Sequence, residues 1–232
     1  MAYHWVEDKS FLSSMKSFCS DIVKQLVQLI NREGVIKVNQ HLVGSGQKNL
    51  ITQNANEPID LDYNLEIIDG GEISIDDCRG IKEYVREKFD EILDRVGWDN
   101  CQDSTSALTT KHYILEKINP TPFSIDLCIV RRGYNGNWYR LIHEKTGYVQ
   151  WDRYSWNEAR HSKDIENRVK WLKENHYWLE VRDGYIEKKN DYLKRNDHNH
   201  PSFVVYIEVV NEVYFKHNGG NPYDKSFICR LI

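Results

Sequence analysis

The sequence lacks the features of membrane, secreted and zinc-finger proteins. It has no uninterrupted apolar run of about 18 residues, and its first residues lack the basic-then-apolar pattern of a signal peptide. Its cysteines are an odd, scattered set with no CxxC pair, so neither a disulfide framework nor a zinc site is expected. They are Cys19, Cys78, Cys101, Cys128 and Cys229. We therefore predict a cytoplasmic protein with no membrane contact and with buried free thiols.

The sequence also has few prolines and no overall surplus of positive charge. The chain has 5 prolines among 232 residues, while 12% of its residues are aromatic, which excludes general disorder. Residues 1–130 carry a net charge of −8 and residues 131–232 a net charge of +4, which together give the net charge of −4. The absence of a strongly basic face disfavours long nucleic acids as partners. An acidic half beside a mildly basic half suits a phosphate-bearing substrate, although ordinary solvated surfaces are an equal alternative.

Three aspartates interrupt apolar, strand-like segments. Asp60 and Asp62 lie two positions apart in the segment 59–68, so a strand would project both carboxylates from one face. Asp126 interrupts a second such segment, 123–130. Like charges this close, and buried charges in general, are costly unless a positive partner offsets them. Because Mg²⁺ prefers oxygen ligands and leaves room for phosphates, three such acids on neighbouring strands predict a magnesium site.

Hydrophobic periodicity in the first part of the chain predicts alternating helices and strands. Helical spacing indicates helices over about residues 10–33 and 75–96. Strands are predicted at 35–43, 59–68, 107–118 and 123–131, the last two joined through a connection at 119–122. A shorter hairpin is predicted from 138–143 and 148–151, around a turn at 145–147.

Beyond about residue 155 the pattern becomes helical. Helices are predicted near 165–172, 184–195 and 201–217, although the β-branched residues of the last segment also suit a strand. The fold class is therefore α+β. We expect a mixed antiparallel sheet with flanking helices over residues 1–150, followed by a mainly helical lobe over residues 151–232.

A glycine-serine turn, a paired Asp-x-Asp and a third acid follow one another in a fixed order. The residues are, in chain order, Gly44, Ser45, Asp60, Asp62 and Asp126. This order resembles the DNA polymerase β-like nucleotidyltransferase superfamily, and the resemblance covers about residues 35–130. The helical second half is similar in general architecture to the oligoadenylate-synthase-like and bacterial cyclic-dinucleotide-synthase-like members.

The resemblance implies a role for each residue of the motif. Gly44 would let the backbone approach a phosphate, and Ser45 with nearby amides would hold a triphosphate. Asp60 and Asp62 would bind two Mg²⁺ or Mn²⁺ ions, and Asp126 would complete the shell of the second ion. The three aspartates would thus serve as both catalytic residues and metal ligands.

A triphosphate would also need cations, and only Lys48 lies between the serine and the first aspartate. Arg160 and Lys163 begin a predicted helix, where an anion would be favoured, so they are further candidates for nucleotide binding. A plain solvated helix start is the alternative for this pair. Arg131, Arg132 and Lys170 are less specific candidates. Five aromatic residues near the lobe boundary would either stack on a nucleobase or pack between the lobes. They are Trp138, Tyr139, Trp151, Tyr154 and Trp156.

These observations predict a metal-dependent nucleotidyltransferase that transfers an NMP from ATP or another NTP to a hydroxyl and releases pyrophosphate. The acceptor stays open among a second nucleotide, a small molecule, an RNA end and a protein side chain. The alternative is an antitoxin-like or regulatory binding module of the same fold that works through a partner. The sequence does not indicate the oligomeric state.

Overall fold

The computed structural model of the chain describes residues 2–115, 117–160, 162–197 and 202–220. Its strands, in chain order, are β1 (Tyr3–Trp5), β2 (Lys37–Leu42), β3 (Thr52–Asn54), β4 (Ile59–Asp69), β5 (Gln102–Asp103), β6 (Leu108–Thr109), β7 (Tyr113–Leu115), β8 (Asn119–Arg132), β9 (Trp138–Glu144) and β10 (Arg153–Ala159). Its α-helices are α1 (Lys9–Glu33), α2 (Gly44–Lys48), α3 (Cys78–Arg95), α4 (Ser162–Glu174), α5 (Trp178–Lys194) and α6 (Ser202–Asn218).

The main sheet is mixed and has β4 and β8 at its centre. Its strand order is β10-β9-β8-β4-β2, in which β4 and β8 are parallel and the other neighbours are antiparallel. The short strands β6 and β7 pair with β8, and β5 pairs with β6. With helices packed beside this sheet, the predicted α+β class is confirmed.

One face of the sheet is buried beneath α1 and α3. Along β4, the apolar residues alternate with the polar ones, so that Leu61, Tyr63 and Leu65 enter the core while the aspartates face the other way. Both helices are capped at their first turn, since Asp8 accepts from the Phe11 amide and Asp77 accepts from the Gly80 amide. This packing fixes which face of the central strands carries the acids.

Two predicted strand arrangements are wrong. The segment 107–118 forms two short strands, β6 and β7, and residues 119–122 belong to β8. The hairpin predicted from 138–143 and 148–151 is also wrong, because β9 pairs with β10 and Val149–Trp151 forms a 3₁₀ turn. Asp152 stabilises that connection by accepting from the Thr146 amide at 2.8 Å.

Within the described residues the helical part begins at Ser162, so residues 155–159 are strand where helix was expected. The division proposed between residues 150 and 151 falls in the connection between β9 and β10. The last segment is helix α6, because its β-branched residues pack into a second core with Leu172, Val181 and Tyr185. Helix α5 begins at Trp178, before the predicted start at residue 184.

Three of the cysteines, Cys19, Cys78 and Cys128, are buried free thiols, as predicted, and Cys101 is half-buried; Cys229 lies outside the described residues. Among the helices of the described residues, none combines the length and the apolar character that crossing a membrane requires.

Candidate active site

The parallel pairing of β4 and β8 places two of the predicted acids directly opposite each other. Asp62 is in register with Asp126, and Asp60 is in register with Ser124. Residues in register on adjacent strands project from the same face, so the three aspartates share the face that is not covered by α1 and α3. The structure therefore places on one face of the sheet all three acids that the sequence singled out. Asp62 and Asp126 are half-buried, and Asp60 is exposed.

Burial and mutual repulsion disfavour the ionised forms of Asp62 and Asp126 on this face. Desolvation, followed by the charges of Asp126 and Asp60, raises the pKa of Asp62 from 3.8 to about 6. Desolvation also raises the pKa of Asp126, against the hydrogen bond from Thr109 that lowers it. Arg140 opposes both effects, since its charge lowers the pKa of each of the two carboxyls. The strand pairing thus concentrates negative charge that a cation would stabilise.

Gly44 begins α2 against the central acid. Its φ is +60°, and a Cβ built there would lie 2.1 Å from Asp62 Oδ2, so neither the backbone conformation nor the space suits a side chain. The amide of Val43 donates to the carbonyl of Asp62 at 2.9 Å, which fixes the approach of the turn to β4. The predicted glycine-serine turn therefore lies at the acids, with Ser45 half-buried beside it.

The donor set is chemically suited to a hard divalent cation. Carboxylate oxygens are the ligands that Mg²⁺ and Mn²⁺ prefer, and desolvation with the charges of Asp126 and Asp60 raises the pKa of Asp62 despite the charges of Arg140 and Lys48. As the side chains lie, no three His, Cys, Asp or Glu groups within the described ranges are close enough together to hold a metal ion. Asp60 in particular accepts a hydrogen bond from the buried Ser124 hydroxyl.

Among the predicted cations, Lys48 is the one whose charge acts on Asp62. Its ammonium group lies 4.7 Å from the centre of the Tyr206 ring. Desolvation, together with the charge of Lys173, lowers the pKa of Lys48 from 10.5 to about 8, while the charges of Asp62 and Glu166 oppose that shift. Lys48 and Lys173, from the two parts of the chain, therefore lie close enough to repel each other.

The other predicted cations lie elsewhere. Lys163 is exposed at the start of α4, where its amide donates to Asn137 Oδ1 at 3.3 Å, and Arg160 is exposed in the preceding turn. Arg132 forms a two-pronged ion pair with Glu166, with N–O distances of 3.1 and 3.0 Å.

Two further candidate cations also have contacts away from the acids. Arg131 lies between the rings of Tyr139 and Trp156, with its guanidinium carbon 5.3 and 5.2 Å from the ring centres. Lys170 is largely exposed, and its ammonium nitrogen lies 3.9 Å from Glu174.

The aromatic residues near the lobe boundary contribute mainly to packing. The Trp156 indole donates to the carbonyl of Ile75 at 2.8 Å, and the Tyr154 ring stacks on His143 with centroids 4.1 Å apart. The Trp138 indole donates to Glu166 at 2.8 Å and so joins β9 to α4. Trp151 is 63% exposed on the connection between β9 and β10.

Sequence reasoning missed several residues at this site. Ser124 repeats the two-residue spacing of the Asp-x-Asp pair within β8, and that repeat was a usable signal. Thr109, Arg140 and Lys173 have no comparable signal, because only the sheet places Thr109 and Arg140 near the acids and only the packing of the helical part places Lys173 near Lys48.

Solved structures share this fold at low sequence identity. The structure of E. coli MS115-1 CdnC in complex with HORMA-deltaN matches 93% of this chain with 14% identity and a TM-score of 0.55. Elizabethkingia meningoseptica CdnE, a cyclic dinucleotide synthase solved with GTP and Apcpp, matches 88% of the chain with 13% identity and a TM-score of 0.51. The GTP-bound form of Vibrio cholerae DncV matches 83% of the chain with 12% identity and a TM-score of 0.50.

The chain spans only part of the length of these neighbours. It covers 61% of the CdnC chain, 72% of the CdnE chain and 48% of the DncV chain. The sequence matches no protein-family model, and a search of curated proteins finds no match either. The likeness is thus one of structure, and it confirms the resemblance that the glycine-serine turn and the aspartates indicated. The chain has the nucleotidyltransferase fold that it shares with CdnC, CdnE and DncV.

Proposed function

We propose that the protein is a metal-dependent nucleotidyltransferase, which transfers an NMP from an NTP to a hydroxyl and releases pyrophosphate. The observation that carries this proposal is the register of Asp62 with Asp126 on parallel strands, with Gly44 in contact with Asp62. It supports the proposal because like-charged carboxyls held on one face, beside a backbone turn with no side chain, suit a cation and a phosphate together.

Asp60, Asp62 and Asp126 would hold Mg²⁺ or Mn²⁺. When bound, the metal would neutralise phosphate charge and lower the pKa of the attacking hydroxyl. Among the chain's own residues, Gly44 lets the backbone of α2 approach Asp62 closely, and Ser45 would contribute its hydroxyl. Asp126 would receive the proton from the acceptor hydroxyl, as the resemblance implies.

Lys48 and Lys173 would bind the triphosphate from opposite sides. A bound triphosphate would relieve their mutual repulsion, which the charges of Asp62 and Glu166 only partly offset at Lys48. The Tyr206 ring packs against the Lys48 ammonium group and would hold it in place for the phosphates. Arg160 and Lys163 remain candidates for the outer part of the nucleotide.

The neighbours suggest the substrates. CdnE was solved with GTP and Apcpp and is named as a cyclic dinucleotide synthase, and DncV was solved with GTP. We therefore propose ATP or GTP as the donor and a second nucleotide as the acceptor, in preference to a small molecule, an RNA end or a protein.

Pyrophosphate release tests this function. The wild-type protein would be incubated with each of the four NTPs, singly and in pairs, with Mg²⁺ or Mn²⁺. We expect release with at least one pair, no release without metal, and no release from the double variant Asp60→Asn with Asp62→Asn. Asp94→Asn, which alters an exposed acid on α3, is the matched control and should retain the wild-type rate.

Circular dichroism and thermal unfolding would show that the double variant is folded. If the wild-type protein releases no pyrophosphate with any NTP, and calorimetry detects no binding of an NTP with Mg²⁺, the enzyme proposal is wrong. The binding-module alternative would then be preferred.

A further inference from the structure

Two of the three aspartates, Asp126 and Asp60, each lie in strand register with a residue that carries a hydroxyl group. Thr109 on β6 lies opposite Asp126 on β8, and its Oγ1 donates to Asp126 Oδ1 at 2.6 Å. Ser124, which is fully buried, lies opposite Asp60 and donates to one of its oxygens. A hydroxyl donates a single proton, so each bond engages one carboxylate oxygen and leaves the other available.

Strand β6 is only two residues long, yet its position is fixed on both sides. The next residue, Thr110, donates its amide to the Ile125 carbonyl at 3.0 Å and accepts from the Ile125 amide at 2.9 Å through its own hydroxyl. Thr110 is 3% exposed, so these bonds are shielded from water. They hold Thr109 against Asp126 without any contribution from the acid itself.

A buried network of charged side chains anchors β5, the strand that pairs with β6. Asp103 on β5 lies opposite Leu108 in register, and Lys82 Nζ lies 2.6 Å from Asp103 Oδ1, with 3% of the Lys82 side chain exposed. His143 Nδ1 lies 2.8 Å from Asp103 Oδ2, and His143 Nε2 lies 3.0 Å from Asp152 Oδ2. The β5–β6 pair is therefore attached to α3, β9 and the start of β10.

We propose that Thr109 is a positioning residue that fixes the rotamer of Asp126, so that the second oxygen of this carboxylate is presented to the cation that Asp62 shares. This inference rests on the proposed metal-dependent function. Its physical basis is that a carboxylate held by a preorganised hydroxyl loses less rotational freedom when a cation binds. Residues that orient metal ligands typically change metal affinity by about 10- to 100-fold when their hydrogen bond is removed.

The test is direct titration of Mn²⁺ by electron paramagnetic resonance, in which free Mn²⁺ gives the signal. Thr109→Val keeps the shape of the side chain and removes the donor, and we expect it to weaken Mn²⁺ binding by about tenfold. Thr109→Ser retains the hydroxyl and should bind within about twofold of wild type. Thr105→Val, an exposed threonine in the β5–β6 connection, is the matched control and should not change binding.

The outcomes separate this inference from the proposed reaction. Equal Mn²⁺ affinity in wild type and Thr109→Val would overturn the role of Thr109 and leave the transferase proposal standing. An equally weak Thr109→Ser would overturn it too, even if Thr109→Val failed to fold. Wild-type protein that binds Mn²⁺ but releases no pyrophosphate would contradict the reaction while supporting the ion site. Wild-type protein that binds no Mn²⁺ would overturn both.

Discussion

Gly44 and Asp62 are in such close contact that a methyl group on Gly44 would overlap the Asp62 carboxylate. A Cβ at position 44 would lie 2.1 Å from Asp62 Oδ2 and 2.9 Å from its Cγ. The glycine therefore does more than allow a turn, because it also sets how closely the backbone of α2 approaches the central acid of the site.

Replacing Gly44 should reduce metal binding in addition to the stability that the strained turn loses. Gly44→Ala combines the strain of a positive φ, about 1–2 kcal/mol, with the overlap on Asp62. Gly147→Ala is the control, since its φ is +88° and no atom lies within 4 Å of the added Cβ. We expect a similar loss of stability from strain in both variants, measured by urea unfolding, and a loss of Mn²⁺ binding in Gly44→Ala alone. Intact Mn²⁺ binding in Gly44→Ala would contradict the close approach.

Removing the charge of Asp62 should stabilise the metal-free protein at neutral pH. Because the pKa of Asp62 is raised from 3.8 to about 6, the folded chain holds this proton more tightly than the unfolded chain does. The resulting stability is present below about pH 4 and is lost as the pH rises through about 6. Asp62→Asn should therefore be more stable than wild type above pH 6, by about 1–2 kcal/mol.

The measurement is urea unfolding at pH 5 and pH 7.5 in the presence of a chelator, with Asp94→Asn as the control. Added Mn²⁺ should raise the melting temperature of the wild-type protein and leave that of Asp62→Asn unchanged. A variant less stable than wild type at pH 7.5 without metal would show that the carboxylate is already stabilised by the protein.

Nucleotide binding should weaken at alkaline pH because Lys48 loses its charge. Its pKa is lowered to about 8, chiefly by desolvation, so the ammonium group is mostly neutral by about pH 9. We expect the affinity for a non-hydrolysable ATP analogue, measured by calorimetry, to fall several-fold between about pH 7 and pH 9. Lys48→Arg should abolish this pH dependence, since arginine stays charged.

Lys163→Met is the informative comparison for Lys48. Lys163 was an equal candidate from the sequence, but it is exposed beside Asn137 at the β8–β9 turn. Its loss should change affinity by less than about threefold, as is typical of an exposed charge. A larger effect than that of Lys48→Met would place the triphosphate along α4 instead.

The network behind Thr109 should be a major source of stability. Lys82→Met leaves Asp103 as a buried carboxylate without its cation, and removing one partner of such a pair costs about 3–5 kcal/mol. Lys170→Met is the control, because that side chain is 75% exposed and its ion pair with Glu174 is long, at 3.9 Å. It should change the free energy of unfolding by less than about 0.5 kcal/mol.

The sequence predicted the acids better than it predicted what surrounds them. Asp60 and Asp62 could be assigned to one face because two-residue spacing has a fixed meaning in a strand, and long amphipathic patterns located α1 and α3 within a few residues. The short strands β6 and β7 could not be found, since two or three residues carry no periodicity. Strand β10 was missed because Arg153–Ala159 has only two large apolar residues, Tyr154 and Trp156, which are too few to establish a period.

The sequence also could not show which basic residues lie near the site. Lysine and arginine residues are frequent throughout the second half of the chain, and nothing local distinguishes Lys173 from Lys170. Their separation by three positions puts both on neighbouring parts of α4, and only the packing of that helix decides which one lies near Lys48.

The parallel pairing of β4 with β8 also bears on how the protein folds. Parallel neighbours cannot be joined by a tight turn, and here the connection runs from residue 70 to residue 118 and contains α3. Contacts between segments so distant in sequence are slow to form, because the chain must first lose the entropy of closing a long loop. Asp62 and Asp126 therefore repel each other only after this loop has closed, so a divalent cation that relieves the repulsion acts on a chain whose two central strands are already paired.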